Sequence, residues 1–257
     1  MLSLLHHFFH PTNCYALCAV ARSGAHLLTG GLRATHLAGR PLQYFNDQLA
    51  QKYAARYGLD LVHFAQYVRG IVAAAATSNA VFGFRIECWD IERFVTRLRE
   101  SGEFGPPRSR ESQLLRTALP RLRYIQLTRQ DKLAQAISKA RALQTDLWAG
   151  GKEKPAAGEA RFDPALIDQC LFSAQHAEEV WRDFFQRNEI GPLAITYEDL
   201  CLDYPATVRR VLNFLHIRLP RRFAIGPPST VRQADAINAE WAERYRALRP
   251  EALNRKS

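Results

Sequence analysis

Four short apolar runs, each followed by a segment with helical spacing, set the rhythm of the chain: Cys14 to Val20, Val81 to Ile86, Arg123 to Thr128 and Pro192 to Thr196. Runs of this length and apolarity predict strands buried on both faces. Strands that alternate with helices predict a parallel sheet with right-handed crossovers. The expected fold is therefore α/β, a parallel sheet covered by helices on both faces, with the ligand at the carboxyl ends of the strands. The loops after Val20, Ile86, Thr128 and Thr196 then gather on one edge of the sheet.

Between the strands, helical spacing covers Asp47 to Tyr57, Leu61 to Ala76, Trp89 to about Arg99 and Lys132 to Trp148. It returns from Asp163 to Asn188, where Pro164 suits a first turn, from Tyr204 to Leu215, and in a terminal helix containing Trp241 and Tyr245. A first helix, weakened by Gly30-Gly31, opens directly after Arg22-Ser23-Gly24. Pro/Gly-rich or polar stretches predict mobile surface loops near 102–112, 149–161 and 226–235. With 257 residues and 47% hydrophobic content, the chain is long enough for one α/β domain over 1–257.

Composition narrows the partners. The formal net charge is +10, and arginine far outnumbers lysine. Guanidinium groups grip phosphate bidentately, so the balance suits an anionic ligand, nucleic acid or an anionic membrane surface, although a GC-rich genome also raises arginine usage. The arginines are distributed rather than striped, and no helix-turn-helix, zinc finger or aromatic-basic signature accompanies them, which argues against nucleic acid. Five cysteines are scattered, with no close Cys/His cluster of zinc spacing. They predict reduced, mostly buried thiols and no metal, with Cys14 and Cys18 on one face of the first strand. No apolar run is long enough to span a bilayer, and Met1 to His10 lacks a basic leader region, so the expected location is cytoplasmic. Those first residues remain free to touch a membrane or a partner.

The chemistry begins at the turn Arg22-Ser23-Gly24. Backbone N–H groups at a helix N-terminus, a glycine that permits close approach and a cationic fork make an anion site. The Gly-Lys-Ser/Thr of a nucleoside-triphosphate loop is absent, which argues against an ordinary kinase or ATPase. Further on, Arg129 ends the third strand and Ser138 follows nine residues later on the inward side of the next helix. Two separated phosphate grips suggest a doubly phosphorylated nucleotide. The plainer readings are an exposed strand-end arginine and a serine bonded to its own helix backbone; Glu198 and Asp199 are read as caps of the following helix.

These segments resemble the sulfotransferases that use 3'-phosphoadenosine-5'-phosphosulfate (PAPS), most closely the bacterial branch that includes trehalose 2-sulfotransferase. The likeness runs from about Tyr15 to Arg246. It rests on Arg22 to Leu28, on Arg129-Gln130-Asp131 with Gln135 to Ser138, on Tyr197 to Leu200, and on Arg232 to Asp235 followed by Glu240 to Arg246. The resemblance implies a P-loop-like sulfotransferase fold, PAPS as donor without a metal, a sugar, glycolipid or polysaccharide hydroxyl as acceptor, and a homodimer. It places the 5'-phosphosulfate on Arg22, Ser23, Gly24, Ala25 and His26, the 3'-phosphate on Arg129 and Ser138, and a closing loop on Arg232 and Gln233.

The acceptor side departs from the pattern. In the resembling branch a Gly-Glu-Pro-x-Glu turn supplies the proposed base through its second glutamate. Here the turn is Gly39-Arg40-Pro41-Leu42-Gln43-Tyr44, and an amide cannot take a proton as a carboxylate does. Arg40, Gln43 and Tyr44 are thus the expected acceptor contacts, and Arg40 points to an anionic glycan. Arg85 stands where the branch has a lysine, and His26, beside the donor loop, is the candidate replacement base together with Arg22 and Arg85 as catalytic residues. The alternative is a silent binder of the nucleotide that kept the pocket and lost the chemistry.

Overall fold

The computed structural model describes residues 13–148, 160–228 and 236–249. Strands β1 (Asn13–Ala19), β2 (Val81–Ile86), β3 (Arg123–Thr128) and β4 (Leu193–Thr196) form one sheet in the order β2-β1-β3-β4. All three pairings are parallel. The α/β class and the parallel sheet are as the apolar runs predict.

Ten helices accompany the strands among the described residues: α1 (Ala25–Ala34), α2 (Asp47–Tyr57), α3 (Phe64–Ala75), α4 (Cys88–Ser101), α5 (Glu111–Ala118), α6 (Lys132–Thr145), α7 (Pro164–Arg187), α8 (Tyr197–Leu202), α9 (Tyr204–Phe214) and α10 (Ala236–Leu248). The period-two alternation of β1 divides them between two faces. Cys14, Ala16 and Cys18 point into a core shared with α3, α4 and α7, where Phe84, Phe94 and Trp181 are buried. Tyr15, Leu17 and Ala19 point into a second core with Leu28 and Leu32 of α1 and Val208 and Val211 of α9. A third cluster joins α6 and α7 to Trp241 and Tyr245 of α10.

Local chemistry explains where the helices begin and end. Asn46, Asp131, Asp163 and Asp203 each accept a backbone N–H at the start of α2, α6, α7 and α9. Thr196 and Asp199 form a reciprocal capping box on α8. Two predicted helices are shorter than their apolar spacing. Asp60 accepts from Val62 N and delays α3 to Phe64, and Asp146 adopts a left-handed φ of 54° that ends α6 before Trp148. Two helices, α5 and α8, fall in stretches that the spacing leaves unassigned. The loop ahead of α5 is anchored by Phe104, buried beneath the guanidinium of Arg69 at 5.3 Å. Four of the five cysteines are buried, and Cys201 is exposed.

Candidate active site at the strand ends

The carboxyl ends of β1, β2 and β3 open into a cleft of about 730 Å³. Its floor is the turn that carries β1 into α1. Ser23 is fully buried, and both its N–H (3.1 Å) and its hydroxyl (2.7 Å) donate to the Val20 carbonyl, so this side chain closes the turn instead of facing the cleft. Gly24 follows with φ 92°, a conformation that an L side chain adopts only under strain. A Cβ there would also lie 2.7 Å from the Tyr197 ring. The N-terminus of α1, unlike those of α2, α6, α7, α8 and α9, has no side-chain cap. The N–H groups of its first turn, from Ala25 and His26, are therefore presented to the cleft.

Cations surround that turn. Arg22, held in a left-handed φ of 65°, donates from Nε to Ser138 Oγ at 2.9 Å and from Nη1 to the Trp148 carbonyl. The two predicted phosphate grips thus meet: loop residue and α6 serine are in direct contact across one cleft. Arg129 stacks on the Tyr197 ring with 4.4 Å from its guanidinium carbon to the ring centroid, and its Nε is buried without a hydrogen-bond partner. Arg85 Nε is likewise buried and unpartnered. Burial, then Arg129 and Arg141, push the pKa of Arg22 down. Such crowding of like charge around orphaned donors fits an anionic occupant.

Three further side chains, those of Gln135, Glu198 and Arg141, tie the surrounding elements together. Gln135, buried in α6, donates from Nε2 to the Ala21 carbonyl at 2.9 Å. Glu198 accepts from Gln130 N at 3.0 Å and Asp131 N at 3.3 Å, so it ties α8 to the turn before α6. Of the two acids read as caps, only Asp199 is one, and it caps its own helix α8; α9 is capped by Asp203. Arg141 donates to Asn238 of α10 at 2.6 Å.

At the end of β2, Arg85 links two predicted residues. Its Nη2 donates to Gln43 Oε1, and its Nη1 lies 3.2 Å from His26 Nε2. A guanidinium has no lone pair to offer, so His26 Nε2 is the acceptor. Although His26 keeps an exposed edge, its enclosure in the cleft wall, then Arg85 and Arg22, push its pKa to about 4. It is neutral at pH 7.

Tyr44 does not reach the cleft. It is fully buried, stacked on Phe82 at 5.7 Å between ring centroids, and its hydroxyl donates to the Arg40 carbonyl at 2.7 Å. The reason is a parallel bridge between Leu42 and Phe84, which runs the turn alongside β2. Period-two alternation then sends Gln43 toward the cleft and Tyr44 into the core. Arg40 is exposed and is absent from the cleft wall, so its charge gives no ground for an anionic acceptor. Arg232 and Gln233 lie outside the described residues.

The cleft also holds a carboxylate that no sequence motif marks. Glu87, immediately after β2, occupies the N-cap position of α4 without capping it. Its Oε1 accepts from Gln43 Nε2 at 3.4 Å. The signal available was its place at a strand's carboxyl end, beside Arg85.

The chain is 28% identical over 265 residues to trehalose 2-sulfotransferase of Mycolicibacterium smegmatis, covering 92% of this chain and 95% of that one. It is 27% identical over 267 residues to trehalose 2-sulfotransferase of Mycobacterium tuberculosis, with the same coverage. A sulfotransferase crystal structure from Alicyclobacillus acidocaldarius aligns over 91% of this chain and 94% of its own, with a TM-score of 0.41 and 14% identity. The family model described as Stf0 sulphotransferase matches residues 14–248, from the first strand of the sheet to the last residue of α10, and the chain belongs to that family.

Proposed function

We propose that this sulfotransferase moves a sulfuryl group from PAPS to a hydroxyl of a carbohydrate. The observation that carries the donor reading is the convergence, on one cleft, of an uncapped helix N-terminus and a buried, unpartnered Arg129 Nε. The first suits the 5'-phosphosulfate, and Arg129 with Ser138 suits the 3'-phosphate. A carbohydrate acceptor is supported by the names of the two mycobacterial relatives.

In this reaction the acceptor oxygen forms a bond to sulfur while the bond from sulfur to the bridging phosphate oxygen breaks. The electron pair leaves on that phosphate, giving adenosine 3',5'-bisphosphate, and the hydroxyl proton passes to a base. Charge accumulates on the departing oxygen, where the α1 N–H groups and Arg22 stand ready as fixed donors. Arg85, on the next strand, adds positive charge to the wall that the acceptor meets. His26 contributes its backbone N–H to the anion site.

Calorimetry tests the donor pocket. Adenosine 3',5'-bisphosphate binds more tightly than AMP or ATP, and Arg129→Ala weakens the bisphosphate by roughly 10- to 100-fold, the loss of one charged hydrogen-bonding group. Equal affinity for AMP and the bisphosphate in the unmodified protein counts against the reading. Turnover is then followed with labelled PAPS and trehalose.

A further inference from the structure

We infer that Glu87 is the general base of the transfer, standing in for the glutamate that the acceptor turn lacks at Gln43. The inference rests on the sulfotransferase reading above and concerns the same cleft. Glu87 is the one carboxylate among the described residues that line the cleft, and it sits on the wall where Gln43 and Arg85 meet. The pairing of β1 with β2 brings Cys18 level with Ile86, so Glu87 stands level with Ala19, at the same height of the sheet as the start of the anion turn.

The hydrogen bonds orient it. Gln43 is held between a group that can only donate and one that, ionised, can only accept. Its amide oxygen takes Arg85 Nη2, and its amide nitrogen therefore faces Glu87 Oε1 at 3.4 Å. The carboxylate has moved by one hydrogen bond from the turn to the end of β2, and Gln43 has become its support. Glu87 Oε2 takes no hydrogen bond from a described residue, which leaves an acceptor atom for an incoming hydroxyl.

His26 is the weaker base on two counts. Its Nε2 lone pair already faces Arg85, and its pKa of about 4 makes it a poor proton acceptor. Glu87 is displaced in the other direction. Burial pushes its pKa up, opposed by Arg85, helped by Asp90, and opposed again by Lys139 of α6 and the bond from Gln43. Cys88, its neighbour on α4, has its own thiol pushed up to about 12 and stays neutral. A carboxylate raised toward neutrality is the better base near pH 7.

In the step, the acceptor hydroxyl gives its proton to Glu87 Oε2 as its oxygen bonds to sulfur and the phosphate oxygen leaves. Glu87 then returns the proton to solvent after product release. No atom changes oxidation state, and only PAPS and the acceptor are consumed.

The test is Glu87→Gln, isosteric and incapable of accepting the proton, assayed with labelled PAPS and either trehalose or water as acceptor. We expect kcat to fall by roughly 10²- to 10⁴-fold, with the affinity for adenosine 3',5'-bisphosphate changed by less than about threefold. The acid limb of the kcat/KM profile, set above the ordinary carboxylate range in the unmodified protein, disappears in Glu87→Gln and persists in His26→Ala. Turnover of Glu87→Gln within tenfold of the unmodified protein, or an acid limb that remains in it, overturns the assignment. So does a matching loss of bisphosphate binding, which makes Glu87 structural. An unmodified protein that binds the bisphosphate yet consumes no PAPS with either acceptor also overturns it. Failure of the unmodified protein to bind the bisphosphate at all is a different result, and it removes the donor reading itself.

Discussion

Replacing Arg22 by alanine lowers kcat/KM for sulfuryl transfer by about 10²- to 10³-fold, the usual cost of losing one fixed donor to developing charge, and does so without lowering the melting temperature of the unliganded protein. The two halves of this result have one cause. Arg22 stands close enough to Arg129 and Arg141 for both to depress its pKa, after burial. These like charges repel one another, and an anionic ligand turns the repulsion into attraction. Alanine removes the repulsion together with the bonds to Ser138, at 2.9 Å, and to the Trp148 carbonyl, both made at the cleft's edge. Thermal melts separate the effects. Saturating adenosine 3',5'-bisphosphate raises the midpoint of the unmodified protein by linkage, and raises that of Arg22→Ala much less. A large drop in stability of the unliganded variant, with bisphosphate affinity intact, would show that Arg22 serves the fold instead. Arg22→Lys recovers little, because a point charge cannot span Ser138 and a phosphate group as a planar fork does.

The sheet, and the place of the Arg22-Ser23-Gly24 turn at its carboxyl edge, were legible in the sequence because each rests on a local pattern. Apolar runs mark strands buried on both faces, and the turn Arg22-Ser23-Gly24 is continuous in the chain. Even there the roles of neighbours differ in a way composition does not register: Gly24 opens the backbone to the cleft, while Ser23 turns its hydroxyl to Val20. The wall at the end of β2 depends on contacts between residues 42 to 44 positions apart, Gln43 with Arg85 and with Glu87. No periodicity encodes those. Tyr44 was misplaced because the parallel bridge from Leu42 to Phe84, which sets the alternation of its turn, joins segments distant in sequence. Helices α5 and α8 escaped for a simpler reason. At eight and six residues they bury too few apolar positions to establish a helical period.

The second large effect lies beneath the cleft, at Gly83. This residue is paired directly with Tyr15 across β1 and β2, and a Cβ on it would sit 2.3 Å from Tyr15 Cζ and 2.5 Å from Cε1. Tyr15 cannot yield easily, since it is fully buried and its hydroxyl donates to the Ala38 carbonyl at 2.6 Å. Gly83→Ala therefore forces β2 away from β1, and overpacking of this kind costs about 3 kcal/mol, at the upper end of the usual range. For a chain of this size the midpoint of thermal unfolding falls by roughly 6–12 °C. The loss is coupled to the partner: in a Tyr15→Leu background the same alanine costs much less, giving an interaction of about 1 kcal/mol or more in a double-mutant cycle. Strict additivity of the two substitutions would mean that the ring does not set the spacing. The damage also extends to chemistry. Arg85 and Glu87 lie two and four residues beyond Gly83 on the same strand end, so a displaced β2 carries the Arg85, Gln43 and Glu87 contacts away from the α1 turn. Turnover of Gly83→Ala accordingly drops even at temperatures where the variant remains folded.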